Sequence, residues 1–258
     1  MIDVGPQESL LRRLVKRKGT IISGLLDPED FTPQEASRAA RHVQDAGGSL
    51  VLVGGSTVAN QSQLDDVVIQ IKKEVTLPVI LFPGNITGVS RHADGLLFTS
   101  LLNSTNPYFI IGAQALGAIQ VYKYGLEAIP MGYLVVGHGS TTAFVADVQE
   151  IPADKPSIAV MYSQAAQYLG MRAIYLEAGS GSKTTIQVSM IKSVRKYFSG
   201  LLIVGGGITI PEVAGEMAEA GADILVIGNL LQSSTFSKDF RKIVMAAEEH
   251  KNKALSKN

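Results

Sequence analysis

Short β-branched or leucine-rich runs recur eight times along the chain, at residues 20–26, 49–53, 78–82, 95–99, 129–136, 173–177, 201–205 and 223–227. Most of the gaps between them hold segments of helical period, so the alternation is that of repeated βα units in an α/β fold. Eight such units close a (β/α)8 TIM barrel, and barrels of this kind commonly occupy about 250 residues as one domain. The chain is therefore read as a single barrel domain spanning residues 1–258.

The helical segments carry the expected faces and ends. Ala36, Ala39, Ala40 and Val43 share one side of the first, and Val188, Ile191, Val194 and Phe198 do so in a later one. Thr32-Pro33-Gln34-Glu35 reads as a capping box with proline at the first helical position, and Thr209-Ile210-Pro211-Glu212 as a similar start. Ala220-Gly221 reads as a stop, since glycine can take the left-handed conformation that closes a helix. Residues 7–18 are mildly amphipathic and basic, and are assigned to a helix capping the barrel bottom. One unit is incomplete. Residues 83–94 hold two glycines and no apolar helical face, so no full third helix fits there. An open flank suits a long extended substrate, although a shortened connection without a role explains the same residues equally well. Residues 137–156, rich in Gly, Thr, Asp and Pro, form the loop after strand five, either a functional loop or a disordered one.

Composition removes several function classes. With 23 basic against 23 acidic residues there is no net field to attract nucleic acid. The absence of cysteine excludes disulfides, thiolate metal sites and a cysteine nucleophile, and the simplest compartment is the cytoplasm. His42, His92, His138 and His250 are dispersed without zinc-ligand spacing, and no strand ends in a lysine that could form a Schiff base. The apolar runs, such as residues 128–136, fall short of the roughly 20 residues that cross a bilayer. A non-spanning chain that can still touch a membrane surface is expected.

In such barrels the active site lies at the carboxyl ends of the strands, and phosphate sites favour the loops after strands seven and eight. Gly205-Gly206-Gly207-Ile208 follows the seventh run and Gly228-Asn229 the eighth, where glycine lets backbone amides approach an anion. Ala178-Gly179-Ser180-Gly181-Ser182 follows the sixth; it extends into neither a dinucleotide fingerprint nor a P-loop. Ser180 can donate to a phosphate or simply form a turn. Carboxylates at strand exits are scarce, the clearest being Asp27 after strand one and Glu177 ending strand six. One can hold Mg²⁺ while the other removes a proton from a hydroxyl. Asp27 fits an Asp-Pro turn equally well. Gly54-Gly55-Ser56-Thr57 after strand two offers hydroxyls to a cation or anion, or a helix cap. Residues 96–117 are apolar yet punctuated by small residues, which suits a strand, a loop and a core helix, or a greasy groove beside the missing helix.

The motifs Leu26-Asp27-Pro28, Val53-Gly54-Gly55-Ser56, Phe82-Pro83-Gly84, Tyr175-Leu176-Glu177-Ala178-Gly179-Ser180-Gly181, Val204-Gly205-Gly206-Gly207-Ile208 and Ile227-Gly228-Asn229 stand in one order along the chain. In them it resembles the geranylgeranylglyceryl phosphate synthase family, archaeal ether-lipid prenyltransferases with bacterial heptaprenyl relatives. The resemblance implies a barrel without its third helix and an sn-glycerol 1-phosphate site made by Tyr175, Leu176, Glu177, Ala178, Gly179, Ser180, Gly181, Gly206, Gly207, Gly228 and Asn229. It further implies Mg²⁺ near Asp27 and Ser56, and cytosolic homo-oligomers, dimeric or hexameric. The implied reaction moves geranylgeranyl from geranylgeranyl diphosphate to the 3-hydroxyl of sn-glycerol 1-phosphate, with Glu177 as the base. The prenyl tail is expected to run past Leu101, Tyr108 and Gly112. The family often reads Asp-Pro-Asp-Lys where this chain has Asp27-Pro28-Glu29-Asp30, which removes a lysine contact to diphosphate at that position. The alternatives are an isomerase or synthase barrel acting on a sugar phosphate, and a non-catalytic phosphate-ligand barrel.

Overall fold

Period-two alternation decides which way each strand residue points, and in a closed barrel both directions are dry. In the computed structural model, which describes residues 4–55, 60–180, 182, 184–232 and 236–255, the eight apolar runs become eight parallel strands. They are β1 (Ile21–Leu26), β2 (Leu50–Val53), β3 (Val79–Leu81), β4 (Gly95–Leu101), β5 (Glu127–Val135), β6 (Ala173–Glu177), β7 (Leu201–Gly205) and β8 (Ile224–Ile227). Neighbours in sequence are neighbours in the sheet, and β8 returns to β1 with Ile21 opposite Ile224, closing the cylinder.

The alternation produces two cores. Ile21, Leu50, Leu52, Ile80, Leu97, Ile129, Met131, Tyr175, Ile203 and Val226 fill the barrel interior. Ile22, Val51, Val53, Leu81, Leu134, Leu176, Val204 and Leu225 face the helices, among them α2 (Pro33–Asp45), α3 (Gln61–Glu74) and α7 (Val188–Tyr197). On α2 the stripe of Ala36, Ala39, Ala40 and Val43 is buried, and Thr32 with Glu35 makes the reciprocal capping box. The start of α8 (Pro211–Glu219) differs from its sequence reading. Ile210 occupies the cap and no side chain bonds there, because the helix begins at Pro211 and leaves Thr209 one residue too early to reach the first free amides. Gly221 closes that helix at φ 106°.

The amino-terminal end of the barrel is plugged by α1 (Pro6–Lys18), which inserts Leu11 into the interior cluster. Glu8 beside it is fully buried, bonded to Arg12 at 2.8 Å and to Arg172 at 2.7 Å. The first amides of α1, on Gln7 and Glu8, donate to the Glu127 carboxylate at 2.5 and 2.9 Å, an acid placed at the positive end of a helix.

Between β3 and β4 only one 3-10 turn, Ile86–Gly88, replaces an outer helix. The next helix, α4 (Ala113–Tyr124), begins from a π turn at Tyr108–Gly112 and buries only Val121, whereas α2 buries five residues. It therefore stands off the barrel wall. The connection after β5 is folded: it holds a short helix, α5 (Thr141–Val145), and reaches α6 (Pro156–Tyr168) after Ile151 pairs with Val136. Asn103 secures it, donating to Val135 O at 2.9 Å and Gln149 O at 2.8 Å, while Ser104 donates to Ala146 O at 2.6 Å. The last helix, α9 (Phe236–Leu255), follows a 3-10 turn at Asn229–Gln232.

Candidate active site

Strand β6 ends with two inward residues, Tyr175 and Glu177, separated by Leu176, whose side chain lies in the outer core. Leu176 consequently faces the helices and turns away from the mouth. The Tyr175 ring stacks on Phe82 at 5.1 Å between centroids and meets Tyr133 edge-on at 5.1 Å, so three aromatic rings close the barrel beneath Glu177. Glu177 is 7% exposed. Burial pushes its carboxyl up to about 6, against the lowering pull of the Gly179 N–H and the hydroxyls of Tyr175 and Tyr133. The Gly179 N–H donates to Oε1 at 2.7 Å. A carboxylate poised near neutrality and facing a cavity suits proton removal from a hydroxyl.

The turns after β6, β7 and β8 meet around it. Ala178 N–H donates to Gly205 O at 3.1 Å, and the Ser180 hydroxyl donates to Asn229 Oδ1 at 3.1 Å. At Gly206, with φ 89°, an added Cβ comes within 2.6 Å of Glu177 Oε1 and 2.8 Å of the Gly179 nitrogen. At Gly207, with φ 69°, it meets Ser182 O at 2.7 Å. Both positions demand glycine because the turn after β7 packs directly on the backbone of the turn after β6; neither residue lines the cavity itself. Gly228, Asn229 and Ser180 line the same cavity as Glu177. Gly181 lies outside the described residues.

Across the mouth Asp27 is both turn former and cavity wall. Its Oδ1 accepts from Glu29 N–H at 3.0 Å, and its backbone O from Asp30 N–H at 3.0 Å. Its Oδ2 occupies the space that any side chain at Gly55 would take, 1.8 Å from the ideal Cβ position. Burial raises the Asp27 carboxyl above its ordinary range; the Glu29 amide opposes this, and the charges of Asp30 and Glu29 add to it. Asp30 also lines the cavity and accepts from Gln232 Nε2 at 2.9 Å. Ser56 falls outside the described residues, so this metal assignment rests on Asp27 alone. No group of three or more acidic or histidine side chains with metal-binding geometry exists among the described residues. Nor does any Lys or Arg line the cavity among them. Acidic oxygens without a neighbouring cation fit a hard divalent ion that takes one or two protein ligands and completes its shell from a phosphorylated substrate.

From this mouth the cavity continues outward through the gap left by the missing helix. Leu96 and Phe98 of β4 form one wall, Ala113, Gly117 and Val121 of α4 the other, and Ile86 and Val89 the edge, while Leu97 and Leu101 line its barrel-side end. Leu101 therefore lines it, while Tyr108 and Gly112 do not. Tyr108 is held outside by its hydroxyl donating to Asn85 Oδ1 at 2.6 Å and by an edge contact with Phe109, and Gly112 faces the Tyr108 ring. Ala113 and Gly117 fall within the 96–117 segment offered as a groove, and Val121, beyond it, was missed; the three recur every four positions, the spacing of one helix face. Also missed were Tyr133 and Thr142, which line the cavity from β5 and α5.

The PcrB family model matches residues 13–247. The chain belongs to the PcrB family. Geranylgeranylglyceryl phosphate synthase of Nitrosopumilus maritimus is 47% identical over 244 residues, covering 95% of this chain and 98% of that one. The enzyme of the same name from Cenarchaeum symbiosum is 50% identical over 229 residues, covering 89% and 93%. Among solved structures, (S)-3-O-geranylgeranylglyceryl phosphate synthase from Thermoplasma acidophilum, in complex with sn-glycerol-1-phosphate, superposes with a TM-score of 0.90 at 36% identity, covering 96% of this chain and 100% of that one. PcrB membership and the closed eight-stranded barrel agree, since that structural match extends over nearly every element described above.

Proposed function

We propose that this chain is a prenyltransferase that transfers geranylgeranyl from geranylgeranyl diphosphate to the 3-hydroxyl of sn-glycerol 1-phosphate, making the first ether bond of archaeal membrane lipids. One observation carries the reading: a single cavity joins a buried carboxylate among glycine turns at the mouth to an apolar groove running out through the absent third helix. A sugar-phosphate isomerase has no use for the groove, and a non-catalytic phosphate binder has no use for a buried Glu177 whose carboxyl is raised by desolvation.

The glycine turns after β6, β7 and β8, with Ser180 and Asn229, hold the phosphate of the acceptor and leave its hydroxyl toward Glu177. The allylic carbon–oxygen bond of the donor breaks, diphosphate departs, and the acceptor oxygen bonds to the freed carbon. Glu177 takes the hydroxyl proton. Leu97, Phe98 and Leu101 keep water from the electron-poor carbon, and the small residues on α4 leave room for the tail. Mg²⁺, held by Asp27 and by Ser56, would neutralise the charge of the leaving diphosphate.

Incubation with sn-glycerol 1-phosphate, geranylgeranyl diphosphate and Mg²⁺ is expected to yield the prenyl ether and pyrophosphate; no ether product under these conditions overturns the assignment. Asp27→Asn is expected to lower turnover at least about tenfold at fixed Mg²⁺ and to raise the Mg²⁺ concentration at half-maximal rate. An unchanged metal titration removes Asp27 from the metal site. In Gly117→Leu the new Cβ stands 3.8 Å from Ile86, so the rest of the side chain must enter the groove. The KM for geranylgeranyl diphosphate should rise at least about tenfold, as expected when a bulky group enters an apolar slot, with the acceptor's affinity unchanged; equal kinetics with the C20 donor would mean that the tail lies elsewhere.

The same proposal includes a cytoplasmic homo-oligomer. The homo-oligomer is supported by Leu116, Ile119 and Tyr122 on α4, Met161 and Tyr168 on α6 and Leu169 just after it, large apolar side chains left exposed. No helix among the described residues is long and apolar enough to cross a membrane.

A further inference from the structure

Tyr133 sits on β5 directly opposite Tyr175 of β6, and it is buried while lining the cavity. Its ring packs edge-on against Phe82 at 5.5 Å and Tyr175 at 5.1 Å between centroids, which holds the ring in place. Glu177 and Thr142 are the polar side chains beside that hydroxyl. Thr142 belongs to α5, the short helix of the β5–α6 connection. It is placed there by the Ser140 cap, whose hydroxyl accepts from Ala143 N–H at 3.0 Å, and by the Asn103 and Ser104 bonds that tie the connection to the end of β4.

We infer that Tyr133 is a positioning residue for Glu177, oriented by Thr142, so that the carboxylate is aimed at the acceptor hydroxyl by groups from β5 and α5 as well as by its own loop. A phenol beside a carboxylate can act only as donor to its ionised form, so Tyr133 O–H favours the charged Glu177, while the Thr142 hydroxyl stands beside the Tyr133 oxygen. Tyr175 and the Gly179 N–H are the other donors to that carboxylate. The remaining titratable groups lining the cavity are Asp27 and Asp30. On the β5–α6 connection, His138 and Glu150 pair with one another at 3.7 Å.

This inference rests on Glu177 being the proton acceptor, and the experiment separates the two. The pH dependence of kcat and kcat/KM is measured for wild type, Tyr133→Phe, Thr142→Val and Glu177→Gln, with both substrates and Mg²⁺. Tyr133→Phe keeps the ring packing and removes one donor, so its acid limb moves to higher pH. Activity should fall about tenfold at pH 5.5 and less than about threefold at pH 8, since one pH unit of displacement is a factor of ten below the limb. The loss appears in kcat while the KM for geranylgeranyl diphosphate holds. Thr142→Val moves the limb the same way by less. A Tyr133→Phe profile that superimposes on wild type, or that drops by one factor at every pH, overturns the inference. Glu177→Gln with near wild-type turnover would instead overturn the base assignment beneath it.

Discussion

Glu177→Gln lowers prenyl transfer by about a hundredfold to ten-thousandfold, the usual worth of a positioned general base, while sn-glycerol 1-phosphate still binds. The amide keeps the size of the side chain and its acceptor for the Gly179 N–H, so the turns that hold the phosphate survive and only proton removal is lost. Steady-state rates together with calorimetric titration of the acceptor separate the two. Turnover within a factor of two of wild type would exclude Glu177 as the base. The same substitution should make the protein more stable at neutral pH. With its folded carboxyl raised from 4.5 to about 6, Glu177 holds its proton more tightly in the folded than in the unfolded chain. Its contribution is therefore neutral below about pH 4.5 and turns unfavourable as pH rises to 6, reaching about 2 kcal/mol against folding at pH 7. Glutamine has no charge to desolvate. Denaturant unfolding at pH 7 should register a gain approaching that size, and the gain should vanish at pH 4. A site that weakens the fold in order to hold a base near neutrality is the expected signature of function.

The second large effect lies at the opposite end of the barrel. Glu8→Ala should cost about 3 kcal/mol, because it leaves Arg172 partly buried with its carboxylate partner gone. That is the lower end of the range for breaking a buried pair, since Arg172 is 19% exposed and Arg12 is 37% exposed. It should not alter the KM of either substrate, because the pair sits at the amino-terminal end of the barrel and the site at the carboxyl ends. Denaturant midpoints and steady-state kinetics read both halves of the expectation. Adding Arg172→Met should recover part of the loss, as it removes the stranded charge. If the single variant is as stable as wild type, the plug does not depend on this pair.

Much of the architecture was legible in the chain because strands buried on both faces need continuous apolar residues, and continuous runs are easy to see. The eight runs at residues 20–26 through 223–227 correspond to the eight strands, with shifts of up to two residues at their ends. The missing outer helix was legible for the converse reason: residues 83–94 offer no apolar face to bury. Leu176 was read as part of the phosphate site, although strand parity with Tyr175 and Glu177 already sends it to the other face. Tyr108 and Gly112 were read as groove residues from the apolar, small-residue pattern of residues 96–117 beside the missing helix. Their orientation depends on the π turn and on the bond from Tyr108 to Asn85, contacts between segments 23 residues apart.

Local patterning determined that this chain builds βα units, where each strand ends, and which glycines and carboxylates stand at those ends, since these follow from period and turn chemistry over a few residues. Tertiary structure alone decided what those residues can do. The Glu177 carboxyl is raised toward neutrality only because closure of the barrel buries it beside Phe82, Tyr133 and Tyr175, contributed by three different strands. The flank becomes a groove only because α4 stands off the wall. Burial and long-range contact have no trace in local spacing, which is why the candidate carboxylate was visible in the sequence and the burial that raises it was not.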